Sequence, residues 1–201
     1  MKKLIITVIN KLPLWAVSIL VKLKNCTYCH FFRLFPVQKN KIVVSNFFGS
    51  GYGDSPKYIA EKLIDSNENY EIVWLLKKNL SGKALFPEQI KTVRYGSLRA
   101  LYELATAKIW IDNVRKAACP PKRKSQYYIQ TWHSFLRLKK IEKDAGEFLS
   151  DTYVERAKID SGNCDLMISG CDFSHDIYNN SFWYDGEILK CGTPRCDIFF
   201  G

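Results

Sequence analysis

The chain has 201 residues, of which 47% are hydrophobic and 25% charged, a composition that excludes a disordered chain and is typical of a globular protein with a core. Thirty Lys and Arg against twenty Asp and Glu give a formal net charge of +10. This excess favours an anionic partner, such as nucleic acid, a phosphate-bearing substrate or an anionic membrane surface, and charge alone does not choose among them.

The first 35 residues form a segment of their own. Asn10-Lys11 and Pro13 interrupt the apolar runs within 4–21, so the sequence contains no uninterrupted membrane-spanning stretch. On a helical wheel the polar residues fall on one side and leave a wide apolar face that includes Trp15. This pattern predicts an amphipathic helix lying on an anionic membrane surface, with a core helix or an uncleaved signal sequence as alternatives.

Seven cysteines are scattered through the chain rather than gathered in a dense framework. An odd number in this arrangement favours reduced thiols and a cytosolic setting. Cys26-Thr27-Tyr28-Cys29-His30 matches the C-x-x-C-H pattern of covalent haem attachment, but the residues that follow do not continue as a haem protein. A zinc site would need a second ligand pair at a plausible spacing. We therefore expect neither a cofactor nor a metal.

Beyond the N-terminal segment, short apolar runs alternate with amphipathic stretches. The predicted strands lie at Lys41 to Ser45, Glu71 to Leu76, Lys108 to Ile111, 127–132, Leu166 to Ser169 and Ile188 to Cys191. The predicted helices begin at Pro56 with Ser55 as the cap, run from Ser97 to Ala107, extend from after His133 to about Ser161, and begin again at about Phe173. This alternation predicts a parallel sheet covered on both faces.

The glycine-rich stretch Gly49-Ser50-Gly51-Tyr52-Gly53 separates the first strand from the first helix. Its spacing fits neither the dinucleotide fingerprint nor a Walker loop, so a phosphate cradle and a simple turn both remain open. The basic linker Cys119-Pro120-Pro121-Lys122-Arg123-Lys124 is predicted to be a solvated connection that also contacts phosphates.

Polar residues directly follow two of the predicted strands. Asp112-Asn113-Val114-Arg115 follows one strand, and His133-Ser134 ends the apolar run that begins at Tyr127. Loops at the carboxyl ends of parallel strands carry binding and catalytic residues. These residues alone leave His133 open to two interpretations, a catalytic imidazole or a hydrogen-bonded histidine at the end of a core strand.

Three motifs in register resemble a single family. The run Tyr128-Ile129-Gln130-Thr131-Trp132-His133, followed by Leu138-Lys139-Lys140-Ile141, resembles the Q-T-W-H-G…L-K-K/R-I motif of the CDP-glycerol glycerophosphotransferase family, the teichoic-acid primases and polymerases of bacteria. The segment from Ala107 to Arg115 is similar to its A-K-x-W-I-D-N-x-R segment, and Gly192 to Asp197 to its G-x-P-R-x-D. The resemblance runs from Lys41 to the end of the chain.

The resemblance implies a fold and an activity. The expected fold is a Rossmann-like parallel α/β sheet over residues 36–201, similar to the N-terminal, acceptor-side half of a two-domain GT-B transferase whose C-terminal nucleotide-binding domain is missing here. The implied reaction transfers glycerol phosphate, or another polyol phosphate, from a CDP-linked donor to a hydroxyl of a lipid-linked polymer acceptor in teichoic-acid or related cell-wall synthesis. We expect a truncated form attached peripherally to the cytoplasmic face of the membrane.

Two rival interpretations stay open beside this one. The chain could be a non-catalytic fragment or a membrane-bound partner module, and its activity in isolation is left open. A basic nucleic-acid-binding α/β domain is less favoured, since no RNA or DNA motif is present, and we expect no nucleic-acid partner.

The resemblance also assigns candidate site residues. His133 is the expected catalytic base, and the alternatives for the other charged residues are an exposed cation or a structural ion pair. At the position of Ser134 the family has glycine, so a crowded site or a backbone with positive φ is in question there. The expected substrate-binding residues are Asn113, Arg115, Thr131, Ser134, Arg195 and Asp197.

Overall fold

A computed structural model describes residues 27–77, 86–116 and 120–200 of the protein. Within these residues seven strands form one sheet: β1 (Gln38–Ser45), β2 (Glu71–Leu76), β3 (Ile90–Arg94), β4 (Ala107–Asp112), β5 (Tyr127–Gln130), β6 (Leu166–Ser169) and β7 (Glu187–Lys190). The helices are α1 (Asp54–Asp65), α2 (Leu98–Thr106), α3 (Asp151–Asn163) and α4 (Asp172–Ser181), with 3-10 helices at Glu142–Phe148 and Pro194–Phe199.

The strand order is β3-β2-β1-β4-β5-β6-β7, and every neighbouring pair is parallel. The chain builds outward from β1 to β3 and then returns to the other side of β1 with β4. The direction of winding therefore changes between β1 and β4, and ligands bind at such a switch point beyond the carboxyl ends of the strands. This architecture confirms the predicted Rossmann-like α/β fold.

Both faces of the sheet are buried, which explains why its central strands read as continuous apolar runs. Side chains alternate along a strand, so Ile42 and Val44 pack with Ala60 of α1 on one face. Val43 lies on the other face and packs with Leu104 of α2. A third cluster, built around Trp132, covers the end of the sheet near β6.

The structure departs from the predicted elements in three places. Strand β3 was not predicted, because its two apolar residues lie three positions apart and form neither a continuous apolar run nor a strict alternation. Helix α1 begins at Asp54 with Gly53 as its N-cap, so the predicted cap at Ser55 is wrong by two positions. The residues just after His133 are irregular, a kinked 3-10 helix follows at Glu142–Phe148, and α-helix begins only at Asp151.

Most of the predicted amphipathic segment, residues 1–26, lies outside the described residues. The chain that follows it is helical at 27–32, and Phe32 packs edge-on against Tyr102 of α2 with ring centroids 5.7 Å apart. Arg123 of the basic linker donates a hydrogen bond to the Phe35 carbonyl at 2.9 Å. In the described ranges no helix is both long and apolar enough to cross a membrane.

The cysteines differ in their redox state. Cys29 is completely buried and disulfide-bonded, so the expectation of reduced thiols is wrong at this position. The same bond is incompatible with attachment of haem to Cys29. The other four cysteines in the described part of the chain are free thiols, as expected: Cys164, Cys171, Cys191 and Cys196.

Candidate active site

Three neighbouring strands end at the same edge of the sheet, and polar residues from their ends meet there. Asn46 follows β1, Asn113 follows β4 and His133 lies shortly after β5. Asn113 is completely buried; its Nδ2 donates to Asn46 Oδ1 at 2.8 Å, and its Oδ1 accepts the backbone N–H of Phe47 at 2.9 Å. This single amide therefore ties β1 to β4 at the switch point.

The imidazole of His133 is fixed by three neighbours. Its Nδ1 lies 2.8 Å from the backbone carbonyl oxygen of Asn113. The ring centroids of Phe47 and Trp132 lie 5.2 Å and 4.4 Å from that of the imidazole. A carbonyl oxygen only accepts hydrogen bonds, so Nδ1 carries the proton of the neutral ring and Nε2 keeps its lone pair. An imidazole in this state can accept a proton from a hydroxyl group.

Arg195 and Asp54 complete the surroundings of His133. Arg195 Nη1 donates to the backbone carbonyl of His133 at 3.0 Å and to Asp54 Oδ1 at 2.7 Å. Asp54 Oδ2 accepts from Asn113 Nδ2 at 2.6 Å. One third of the Arg195 side chain is exposed, so its guanidinium combines an ion pair with a surface that can meet an anion. The structure thus brings His133, Asn113 and Arg195 together.

The backbone at this edge is strained. Four non-glycine residues have φ in the left-handed region: Phe47 at 42°, Phe48 at 57°, Asp54 at 56° and Trp132 at 51°. Each such residue costs about 1 kcal/mol or more, and backbone strain of this kind concentrates at functional sites. Gly49, at φ 82°, has no space for a side chain, because a Cβ there would lie 2.9 Å from the Cβ of Tyr95. Its close approach to the sheet supports the turn-making role for the glycine-rich stretch.

Thr131 and Ser134, two of the predicted substrate-binding residues, flank the histidine. Thr131 is buried, and its hydroxyl donates to the Trp132 carbonyl at 3.1 Å. Ser134 donates its hydroxyl to the Leu136 carbonyl, and its own carbonyl accepts from Tyr178 at 2.9 Å. Ser134 is not among the residues with positive φ, so the backbone at this position does not require glycine. Both side chains stabilise the loop that carries His133.

Arg115 lies next to the site, and its guanidinium is hydrogen-bonded to other groups of the protein. Its guanidinium donates to Glu142 Oε2 at 2.7 Å, to Ser161 Oγ at 2.7 Å and to Asp160 Oδ2 at 3.2 Å. The Arg115 side chain is 14% exposed, and its Cζ lies 5.8 Å from the centroid of the Trp132 ring. The structure therefore does not place Arg115 with His133 as a free phosphate-binding cation, and it is not an exposed strand-end cation either. Arg115 links the end of β4 to the 3-10 helix Glu142–Phe148 and to α3.

Asp197 lies apart from the histidine. It is exposed and lines a cavity of about 400 Å³ formed with α1 residues that include Tyr58, Lys62 and Leu63. The 3-10 helix that contains Asp197 packs against α1, which is how the same segment brings Arg195 back to Asp54. Its motif partner Arg195 therefore reaches the site and Asp197 does not.

A cavity of about 590 Å³ adjoins the histidine. Its walls combine the aromatic and aliphatic side chains of the 3-10 helix and α3 with two lysines and one carboxylate. The lining residues are Trp132, His133, Lys139, Lys140, Ile141, Glu142, Ala145, Phe148, Leu149 and Tyr153. Such a cavity suits a ligand with an apolar portion and an anionic group that the lysines can neutralise.

Two groups on the cavity wall hold each other in place. Tyr153 donates its hydroxyl to Glu142 Oε1 at 2.6 Å, while Arg115 holds the other oxygen of the same carboxylate. Burial, aided by the hydrogen bond to Glu142, raises the pKa of Tyr153 to about 12, so the phenol remains a donor at neutral pH. In the described ranges no group of three or more His, Cys, Asp or Glu side chains is placed to hold a metal ion.

Three residues that the sequence did not single out contribute to the site: Asn46, Phe47 and Asp54. The available signal was their position, since they fall between the end of β1 and the start of α1, beside the switch point. Arg195, the partner of Asp54, is 141 residues away from it in the chain, and no local sequence pattern reports that contact.

Comparison with known proteins identifies relatives of this chain. A family model described as CDP-Glycerol:Poly(glycerophosphate) glycerophosphotransferase matches residues 27–201. The teichoic acid poly(glycerol phosphate) polymerase of Staphylococcus epidermidis is 31% identical over 168 residues, covering 81% of this chain and 23% of that protein. The teichoic acid glycerol-phosphate transferase of Staphylococcus aureus is 29% identical over 166 residues, covering 79% of this chain and 42% of that protein.

Solved structures show the same fold. A histidine-to-asparagine variant of the wall teichoic acid polymerase TagF superposes with a TM-score of 0.77 at 28% identity, covering 90% of this chain and 46% of that chain. The same variant soaked with CDPG also gives a TM-score of 0.77. This chain spans less than half the length of each of these relatives.

Proposed function

We propose a function from one premise, which is that this chain belongs to the CDP-glycerol:poly(glycerophosphate) glycerophosphotransferase family. In the proposal it forms the acceptor side of a transferase that moves glycerol phosphate, or a related polyol phosphate, from a CDP-linked donor to a hydroxyl of a lipid-linked acceptor. The product extends a teichoic-acid-like polymer.

The position of the proton on the neutral His133 ring is the observation that best supports the proposal. Its Nδ1 proton is bound by the Asn113 carbonyl at 2.8 Å, so Nε2 is the nitrogen that remains to take a proton. His133 also lines the cavity of about 590 Å³, which is large enough for the end of a polymer chain. A fixed base beside a cavity is the arrangement that activation of an acceptor hydroxyl requires.

The chemistry of the step follows from these parts. The acceptor hydroxyl oxygen attacks the phosphorus that bears glycerol, the bond from that phosphorus to the CMP oxygen breaks, and His133 Nε2 takes the hydroxyl proton. Charge accumulates on the phosphoryl oxygens in such a transfer, and cations near the attacking group stabilise it. Arg195 at the histidine loop and Lys139 and Lys140 on the cavity wall are cations that keep exposed charge.

The donor and the membrane complete the proposal. In the proposal the donor nucleotide binds in a C-terminal half like that of two-domain relatives, and that half faces the edge where His133 lies. The Lys-bearing apolar segment of residues 1–35 would attach the protein peripherally to the cytoplasmic face of an anionic membrane, where a lipid-linked acceptor is found.

Replacement of the histidine tests the proposal in a protein that contains both halves, made by joining this chain to the second half of a relative. His133→Ala should lower turnover, measured as CMP release at saturating acceptor, by about 10²–10⁴-fold with the thermal unfolding midpoint nearly unchanged. His30→Ala is the matched control, because His30 is exposed and outside the site. A folded His133→Ala protein with turnover close to that of the parent would refute the catalytic role.

A further inference from the structure

We propose that Asp54 is a positioning residue that sets the orientation and the tautomer of His133, an inference that rests on the proposed role of His133 as the base. Asp54 is the first residue of α1, and its side chain is only 7% exposed. No motif of the sequence singled it out.

The two carboxylate oxygens of Asp54 are each linked to His133 through a different residue. Oδ2 accepts from Asn113 Nδ2 at 2.6 Å, and the backbone carbonyl of that same asparagine binds the Nδ1 of the imidazole. Oδ1 accepts from Arg195 Nη1 at 2.7 Å, and that same nitrogen holds the backbone carbonyl of His133 at 3.0 Å. One carboxylate therefore closes a ring of hydrogen bonds that contains both the side chain and the backbone of the histidine.

This ring of hydrogen bonds requires a carboxylate at the position of Asp54. Asn113 Nδ2 and Arg195 Nη1 are both donors, and a carboxylate is the group that offers an acceptor oxygen to each of them. An amide of the same size offers one oxygen, so one of the two arms would lose its partner. Loss of either arm frees the imidazole to rotate or to move its proton from Nδ1 to Nε2, which removes the lone pair needed to accept a proton.

The backbone of Asp54 decides which substitutions are informative. Its φ of 56° lies in the left-handed region, which Asp, Asn and Gly occupy more readily than other residues. Alanine at this position would add backbone strain to the loss of the carboxylate. Asp54→Asn removes the charge while keeping size and backbone preference, and Asp54→Gly removes the side chain without adding strain.

The tautomer of His133 gives the direct test, using the 201-residue chain labelled with ¹⁵N-histidine at mildly alkaline pH. The chain has three histidines, so the signals that disappear in His133→Gln identify the ring of interest. In the parent protein we expect a protonated Nδ1 and an unprotonated Nε2. Asp54→Asn and Asp54→Gly should shift both ring nitrogens towards a mixture of tautomers, whereas Asp65→Asn, at the exposed end of the same helix, should leave them unchanged.

Three results would overturn the proposal. One is a parent protein whose neutral His133 carries its proton on Nε2. Another is a folded Asp54→Asn or Asp54→Gly protein whose His133 ring signals match those of the parent. The third is loss of the folded spectrum in both variants, since Asp54 would then be needed for the fold rather than for the histidine.

Turnover in a protein with both halves separates this inference from the proposed function. Asp54→Asn should lower kcat by about 10–100-fold, as misplacement of a catalytic group does. The double variant with His133→Ala should be no slower than His133→Ala alone, because Asp54 acts through the histidine. If His133 is not the base, neither substitution changes turnover, while the tautomer result for Asp54 still stands. A double variant much slower than His133→Ala would contradict the positioning role.

Discussion

Replacement of Arg115 by alanine should destabilise the protein strongly, because this arginine holds a buried network together. Its partners Glu142 and Asp160 have side chains only 2% and 3% exposed, and both lie within 3.2 Å of the guanidinium. Removal of one partner of such a buried ion pair leaves uncompensated charge and costs about 3–5 kcal/mol. For a chain of this size that corresponds to a fall of about 6–20 °C in Tm.

Thermal and urea unfolding of Arg115→Ala and of a matched control measure this effect. The control is Arg137→Ala, whose partner Asp144 lies at the surface with 34% of its side chain exposed, so its loss should cost at most about 1 kcal/mol. Adding Glu142→Gln to Arg115→Ala should cost less than the two single changes together, since the unpaired carboxylate is then neutral. If Arg115→Ala lowered Tm no more than Arg137→Ala, the network would not be stabilising, and Arg115 would return as a substrate-binding candidate.

Two further predictions concern the thiols and the N-terminal segment. Burial raises the pKa of the Cys164 thiol to about 12. An alkylating reagent near pH 8, followed by mass spectrometry, should therefore modify exposed Cys191 first and Cys164 only when the protein unfolds. Equal alkylation rates of the two thiols in the folded protein would contradict this prediction. Removal of residues 1–25 should release the protein from anionic vesicles in a co-sedimentation assay, and added salt should weaken vesicle binding by the full chain. If the shortened protein still sedimented with the vesicles, another surface of the protein would bind the membrane.

The central strands of the sheet could be predicted from the sequence because both of their faces are buried. All six predicted strands coincide with strands of the sheet, and the apolar run from Ile42 to Val44 at its centre is buried between α1 on one face and α2 on the other. The helix predicted from Ser97 begins there because the Ser97 hydroxyl accepts the N–H of Ala100 at 3.1 Å. The parallel order then brings the ends of β4 and β5 to one edge, which is why Asn113 and His133 could be predicted to meet.

Residues whose role depends on distant partners could not be assigned in the same way. Arg115 follows a strand just as His133 does, and only the fold shows that its partners Glu142 and Asp160 lie 27 and 45 residues away. Arg195 and Asp197 sit in one motif, yet the short 3-10 helix sends one to the histidine and the other to a separate cavity. Hydrophobic periodicity reports which face of an element is buried and carries no information about polar contacts between segments.

The strained backbone at the site and the polar network around it depend on each other. Phe47 keeps its left-handed conformation while its N–H is held by Asn113 Oδ1 at 2.9 Å, and Trp132 keeps its own while its N–H is held by Gln130 Oε1 at 2.9 Å. Each bond secures a residue whose ring packs on the imidazole of His133. Strain of this kind persists only where surrounding contacts over-determine the backbone. The buried amides of Asn113 and Gln130 therefore help to position His133 indirectly, through the two aromatic rings that enclose it.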